Sequence, residues 1–387
     1  MCVFESISRI DLFKVVFFCF FILTNFSIIA QQNIKSIETI NPALPLKICY
    51  EVQHDKIESI ASDKKKGLTI AYQGGKIAKT GLQKNSIIWL SELGGEIVSD
   101  LIFEEKKIYL ITKVVEVNFE ERNDRNKRKV NFILWSLNAE TGVTNWRFLF
   151  TSTGYVFLNS YQDKIYLTEK DGNIISIRKN DAQIVWSRKL THEISSPPSL
   201  FETKIYVSLI DNSILALSTD NGEIVTKLSG LHSPASFLIA DVNKLFWGET
   251  KGSVNLINTS RNSYIWNMRY GGEISSITLT RNGILVTSLD NFAYLVSLQG
   301  GKKIWKRRLA GRISVKPLIV GDFLIFITEV NSNVTIMDLK NGKVVNQISL
   351  AGKGFILATP LIISNLMVVL TNKGIFAFAE INADCSH

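Results

Sequence analysis

The stretch "GKIAKTGLQKNSIIWLSELGGEIVSDLIFEEKKIYLIT" occupies Gly75 to Thr112. It passes from a small-residue turn through a short alternating strand to Ile87-Ile88-Trp89. Gly94-Gly95-Glu96-Ile97 follows, then Lys107-Ile108-Tyr109-Leu110. These phrases return along the chain. "IYLIT", ending at Thr112, is echoed by "IYLTE" at Glu169, "IYVSL" at Leu209, "LFWGE" at Glu249 and "ILVTS" at Ser288. "LIFIT" at Thr328 and "MVVLT" at Thr371 continue the series, and "LTIAYQ", ending at Gln73, is its first copy. That makes eight copies, mostly about 40 residues apart. Such a period, with about four strands per unit, predicts an all-β fold: an eight-bladed β-propeller with four-stranded blades.

Each unit repeats one internal order. A turn follows the strand just quoted: Asp171-Gly172, Asp211-Asn212, Lys251-Gly252, Asp290-Asn291, Lys373-Gly374. These pairs permit the positive φ of a tight hairpin. An alternating strand comes next, such as "NIISI" or "SILAL", then a second turn at Thr141-Gly142, Asn221-Gly222, Gly300-Gly301 or Asn341-Gly342. An outer strand then reaches Trp89, Trp146, Trp186, Trp266 or Trp305, with Lys227 and Asn346 assigned to the same place in two units. One reading makes these tryptophans binding aromatics for a sugar or a quinone. Their recurrence at one offset favours a structural role, filling the space between neighbouring blades.

The Asn/Asp-Gly turns, the Ile-Val-Trp and Ile-Ile-Trp endings, Ser195-Ser196-Pro197 and the Lys-Ile-Tyr-Val strands resemble the PQQ-like β-propeller repeat family. The resemblance covers roughly residues 45–382. Quinone-dependent dehydrogenases of that family use an adjacent cysteine pair and a calcium site, and are considerably longer. This chain has no two adjacent cysteines. Among exported, non-catalytic members, it is similar in size and blade number to the propeller lipoproteins of the outer-membrane β-barrel assembly machinery. That resemblance implies a scaffold docking a protein partner. The departure is at the N-terminus: Cys19 lies among Val16, Phe17, Phe18 and Phe20, which is not the small-residue setting of a lipid-modified cysteine.

The ring must close without a raw edge. The C-terminal "LMVVLTNKGIFAFAEI" lacks an outer strand, and the N-terminal "LPLKICYEV" lacks the rest of a blade. Pro45 to Val52 is therefore expected beside Gly374 to Glu380, so that one blade joins both termini. This places Cys49 near Cys385, and two outcomes are open: a disulfide, or two free thiols.

Arg9 and Lys14 precede an apolar run of nine residues, Val15 to Leu23. That is short for a membrane span of roughly twenty residues and suits a secretory signal. Residues 1–30 are expected to be removed after Ala30, the alternative being a retained anchor. Residues 31–44 are expected to be a linker and 383–387 a tail. Export makes disulfides permissible and places the chain in the periplasm or cell envelope, with indirect membrane association.

The 387-residue chain carries a net charge of +9 and is 46% hydrophobic. Basic charge is concentrated in Arg122 to Lys129, inside an insertion at 113–131 that stretches the Trp89–Trp146 spacing to 57 residues. This segment is either a solvated hairpin loop or a charged arm that docks a partner through Glu120, Glu121, Arg122, Arg125, Lys127 and Arg128. A second candidate set is Glu96, Glu193, Glu273 and Arg312, which share one offset in the linkers before the innermost strands. Repeat geometry puts them on one face, near the channel mouth.

The chemistry motifs sought are absent from the sequence. His54, His192, His232 and His387 have no metal-ligand spacing, and there is no Cys-x-x-Cys, phosphate loop or nucleophile elbow. The expectation is a monomer that is not an enzyme, with no catalytic, metal or cofactor site and no nucleic-acid partner. Its expected role is a protein-interaction scaffold in the envelope, with small-molecule or polysaccharide binding at the channel mouth as the alternative.

Overall fold

In most repeats the second and third strands are almost wholly buried, whereas the fourth alternates. Lys204–Leu209 and Ser213–Ser218 bury nearly every residue, while Lys303–Arg308 buries only Trp305 fully. Strands covered on both faces read as continuous apolar runs, and an edge strand keeps period two. A computed structural model describes residues 40–53, 57–62, 67–81, 86–114, 130–313, 315–328 and 333–385, and no helix occurs among them. The strands form eight antiparallel sheets arranged as an eight-bladed β-propeller.

Seven blades are sequential. Blade 1 holds Ile57–Ser62, Gly67–Tyr72, Lys76–Gly81 and Ile87–Glu92. Blade 2 holds a divided inner strand, Glu96–Ile97 and Ile102–Glu104, then Lys107–Val114, Val130–Asn138 and Thr144–Ser152. Blades 3 to 7 begin at Val156, Ser199, Ala235, Ile274 and Leu318. Blade 8 takes Leu361–Ile363, Leu366–Thr371 and Gly374–Glu380 from the C-terminus, and Leu46–Gln53 from the N-terminus as its outer strand. Leu46 pairs with Glu380 and Gln53 with Gly374, the closure that the unpaired ends of the sequence demand.

The hydrophobic core is divided into eight clusters, each joining two adjacent blades. Ile57, Ile60, Leu68 and Ile70 of blade 1 pack on Ile363, Leu366 and Val368 of blade 8. On its other side blade 1 gives Ile77 and Trp89 to Ile108, Leu110 and Leu137 of blade 2. The pattern continues around the ring to Ile325 and Ile336 of blade 7 against Met367 and Phe376 of blade 8. No blade has a core of its own, so stability resides in the junctions.

Two features refine the expected boundaries. Ile40, in the residues assigned to the linker, is buried against Met367, Phe376 and Phe378. The strands flanking the insertion reach inward to Val114 and Val130, which lengthens the blade 2 hairpin. The arm residues Glu120, Glu121, Arg122, Arg125, Lys127 and Arg128, the 1–30 segment and His387 lie outside the described residues.

Candidate functional site: the central channel and the blade junctions

The tryptophans occupy equivalent slots. Each outer strand carries a bulge, and the residue after it turns into the junction with the next blade. Ile177 pairs with Ile184 and Ser176 with Trp186, leaving Val185 bulged. The indole Nε1 of Trp186 donates to the Thr219 carbonyl of blade 4 at 2.9 Å. Trp89 donates to Ala139, Trp146 to Lys179, Trp266 to Leu298 and Trp305 to Leu339, at 2.9–3.2 Å. A buried indole gains area only if its N–H finds a partner, and the turn of the next blade supplies one every time.

The turn glycine completes the slot. Gly222 has φ +70°, and a Cβ there would lie 2.5 Å from Trp186 Cε3, so the ring rests on bare backbone. Gly142, Gly301 and Gly342 take the same place against Trp89, Trp266 and Trp305. Blade 3 departs from this: its Ala182 holds the turn at φ +60°, and Trp146 of blade 2 is only half-buried.

Register corrects one assignment. In blade 4, Leu217 pairs with Ile224 and Ala216 with Thr226, so Thr226, not Lys227, stands where the other blades have tryptophan. Lys227 instead approaches Asp211 at 3.7 Å. Asn346 does hold the slot in blade 7, and its Nδ2 donates to the Pro42 and Leu44 carbonyls. In blade 8 the slot belongs to Tyr50, because Phe378 pairs with Ile48 and Ala377 with Tyr50. Cys49 is the bulged residue, and it is disulfide-bonded to Cys385 with a Cα–Cα distance of 5.3 Å. The Tyr50 hydroxyl donates to the Cys385 carbonyl, a second tie on the tail.

A cavity of about 1160 Å³ opens among the inner strands of blades 1 to 3 and reaches Glu193 and Pro197 at the entry to blade 4. Its lining brings together two of the four linker residues, Glu96 and Glu193; Glu273 and Arg312 are exposed elsewhere. The linkers alternate: the isoleucines that follow, Ile97, Ile194, Ile274 and Ile313, are buried, which turns the preceding charges outward. Glu58, Asp100 and Asp171 add three carboxylates to the cavity, and Lys113 and Lys170 add two ammonium groups. The Glu58 carboxyl accepts a hydrogen bond from the Ile97 backbone, while burial and then the Glu96 charge push its pKa up. Tyr155, Phe157 and Phe132 supply aromatic surface, with Lys170 Nζ 5.8 Å from the Tyr155 ring. No local pattern marks Glu58, Asp100 or Tyr155, which come from different blades and meet only in the folded ring.

Among the described residues no group of three His, Cys, Asp or Glu side chains is placed to hold a metal ion. The buried carboxylates of Glu169 and Glu249 are engaged in hydrogen bonds. Asn173 Nδ2 donates to Glu169 at 2.7 Å, and Asn255 Nδ2 and Trp247 Nε1 donate to Glu249 at 3.0 and 3.3 Å.

The ring, its slot chemistry and its repeat define the chain as an eight-bladed propeller of the PQQ-like class. It belongs to the family described as outer membrane protein assembly factor BamB, whose model matches residues 136–241 and 232–383. A curated relative, outer membrane protein assembly factor BamB of Legionella pneumophila (strain Paris), is 20% identical over 183 residues. That alignment spans 43% of this chain and 46% of the relative. BamB from Moraxella catarrhalis superposes with a TM-score of 0.64 at 16% identity, over 88% of this chain and 99% of that one. The C-terminal WD40 domain of Sif2 gives 0.70 at 13% identity, over 88% and 98%, a likeness of fold alone.

Proposed function

We propose that the protein is a non-catalytic, extracytoplasmic scaffold that docks a protein partner in the cell envelope, in the assembly of outer-membrane proteins. The observation that carries this reading is the family match over residues 136–383, lying on a propeller whose ring is closed by its own termini. A junction-stabilised ring is a rigid platform, and its connecting loops are free to vary for binding. In this reading residues 1–30 direct export, and the segment containing Glu120 to Lys129 is the docking arm.

A cross-linked pull-down of the tagged protein from its own envelope fraction, read by mass spectrometry, tests the proposal. A variant lacking residues 120–129 runs beside it. Recovery of an outer-membrane assembly component, lost in the variant, is the expected result. Recovery of no envelope protein from either sample overturns the scaffold role.

The cavity favours a second reading. Its volume, of about 1160 Å³, is somewhat above that of ordinary ligand pockets, and its lining mixes aromatic rings with five carboxylates. A ligand held there would raise the melting temperature by mass action. A thermal-shift screen of cationic small molecules and oligosaccharides, repeated with Glu96→Gln, distinguishes this reading from the first.

A further inference from the structure

The 31 residues from 291 to 321 hold seven lysines and arginines and no acidic residue. They build the outer half of blade 6, Phe292–Val296 and Lys303–Arg308, and the passage into the first strand of blade 7, Leu318–Val320. Its edge strand, Lys303–Arg308, faces two ways. Trp305 and Arg307 turn toward blade 7, where Arg307 donates from Nε to the Gly342 carbonyl and from Nη2 to the Asn341 carbonyl. Lys303 and Lys306 turn the other way, over a row of rings. Lys303 Nζ lies 5.9 Å from the Tyr270 ring and 5.7 Å from the Tyr294 ring, and Lys306 Nζ lies 3.7 Å from the Phe292 ring. Lys302, Arg308 and Arg312 are exposed beside them.

None of these side chains is engaged in an ion pair among the described residues. Several cations of blades 1 and 3 are paired by contrast: Lys76 with Glu92 at 2.9 Å, Lys189 with Asp171 at 2.7 Å and Arg178 with Asp181 at 2.9 Å. The acid-free character continues onto blade 5, where residues 250–272 carry Lys251, Arg261 and Arg269 and no Asp or Glu. Ile304, 51% exposed, projects from the bulge at the centre of the patch, with Tyr264 and Ile265 exposed on the neighbouring edge. Unpaired cations around aliphatic and aromatic tips match the interface of an anionic bilayer, which takes charge at its headgroups and apolar tips just beneath. A nucleic acid would leave the isoleucines in water.

We propose that the outer edge of blades 5 and 6, centred on Lys302, Lys303, Ile304, Lys306 and Arg308, docks on an anionic lipid surface. This orients the ring on the membrane independently of any protein partner and does not rest on the scaffold reading.

The test is co-sedimentation of the full chain with phosphatidylcholine vesicles, with and without phosphatidylglycerol. The readout is the ratio of the two affinities, because the apolar segment Val15 to Leu23 is common to every sample. The anionic vesicles are expected to bind more tightly, and added salt to erase the difference. Each cation at such a surface accounts for roughly fivefold. The variant carrying Lys302→Gln and Arg308→Gln, which leaves the ring contacts intact, should lose about 25-fold of the preference while keeping its melting temperature. The pair Lys303→Gln and Lys306→Gln provides a second measurement should the first variant misfold. Neutralising Arg122, Arg125, Lys127 and Arg128 instead should leave most of the preference. The proposal is overturned if the blade 6 variants keep the preference, or if the 122–128 variant abolishes it. It also fails if no anionic preference exists, or if duplex DNA displaces the vesicles and binds through the same lysines.

Discussion

Blades 3 and 4 meet differently from blades 4 and 5. At the first junction the Trp186 indole lies on Gly222 and donates to the Thr219 carbonyl. At the second, Thr226 stands in the tryptophan's register and Asn262, at φ +50°, stands in the glycine's. Between them a crevice of about 20 Å³ remains, lined by Tyr206, Ala216, Ile257 and Thr259. That is room for about one water molecule. The tryptophan and the turn glycine therefore behave as one packing unit. Where the ring is absent, the turn accepts a side chain; where Ala182 intrudes at the junction of blades 2 and 3, the ring is left half-buried.

The seam between blades 8 and 1 is a third kind of junction, in which Tyr50 fills the slot and the Cys49–Cys385 disulfide ties the strand to the tail. The cysteines are 336 residues apart, and cross-linking so long a loop removes unfolded-chain entropy worth about 5 kcal/mol. Cys49→Ser should lower the urea midpoint by a corresponding amount, the largest single effect expected here. A midpoint that does not move under reducing conditions would show that the seam is held by strand pairing alone.

The filled and empty slots can be set directly against each other. Trp186→Ala removes a buried ring and leaves a cavity, and should cost about 3–5 kcal/mol. Thr226→Ala, at the same register, should cost less than about 1 kcal/mol, since little is packed on it. Equal losses in urea denaturation would mean that the slot is not where junction stability lies. The glycine side behaves likewise. Gly222→Ala forces a left-handed residue and pushes a Cβ into the indole, for a loss of about 2–3 kcal/mol. Asn262→Gly should change stability by less than about 1 kcal/mol, there being no indole to accommodate.

The eight-fold period and the pairing of the two termini were legible because both follow from strand length and the avoidance of edges. The tryptophan slots were legible wherever the residue was tryptophan. Tyr50 aligns with Trp186, since Ile48-Cys49-Tyr50 carries the same bulge as Ile184-Val185-Trp186, but its strand lies at the opposite end of the chain from the rest of its blade and carries no tryptophan to mark the slot. Thr226 was hidden by its residue type: Ile224-Val225-Thr226 aligns with Ile184-Val185-Trp186 and both strands carry the same bulge, but a threonine does not mark the slot as an indole does. The acidic cavity was half legible. Glu96 and Glu193 share a linker offset, but Glu58 reaches Glu96 from a different blade, and no local pattern records that distance. The basic edge of blade 6 is visible in composition, as lysines and arginines without acids, but its unpaired state depends on where the side chains lie.

If tryptophan and glycine form one unit, the empty junction should be repairable, and only by changing both residues. Thr226→Trp alone brings an indole against the Asn262 side chain, in the place where a Cβ at Gly222 would be 2.5 Å from its own ring. Overpacking of this kind costs about 1–3 kcal/mol and should cancel the gain in buried area. With Asn262→Gly as well, the ring can settle into the crevice and donate to the Thr259 carbonyl, the counterpart of Thr219 one blade earlier. The double variant should then exceed the parent by about 1 kcal/mol, so that the two changes are coupled by about 2 kcal/mol in a double-mutant cycle. Simple additivity in that cycle would separate tryptophan from glycine and leave their pairing around the ring as two independent habits of the repeat.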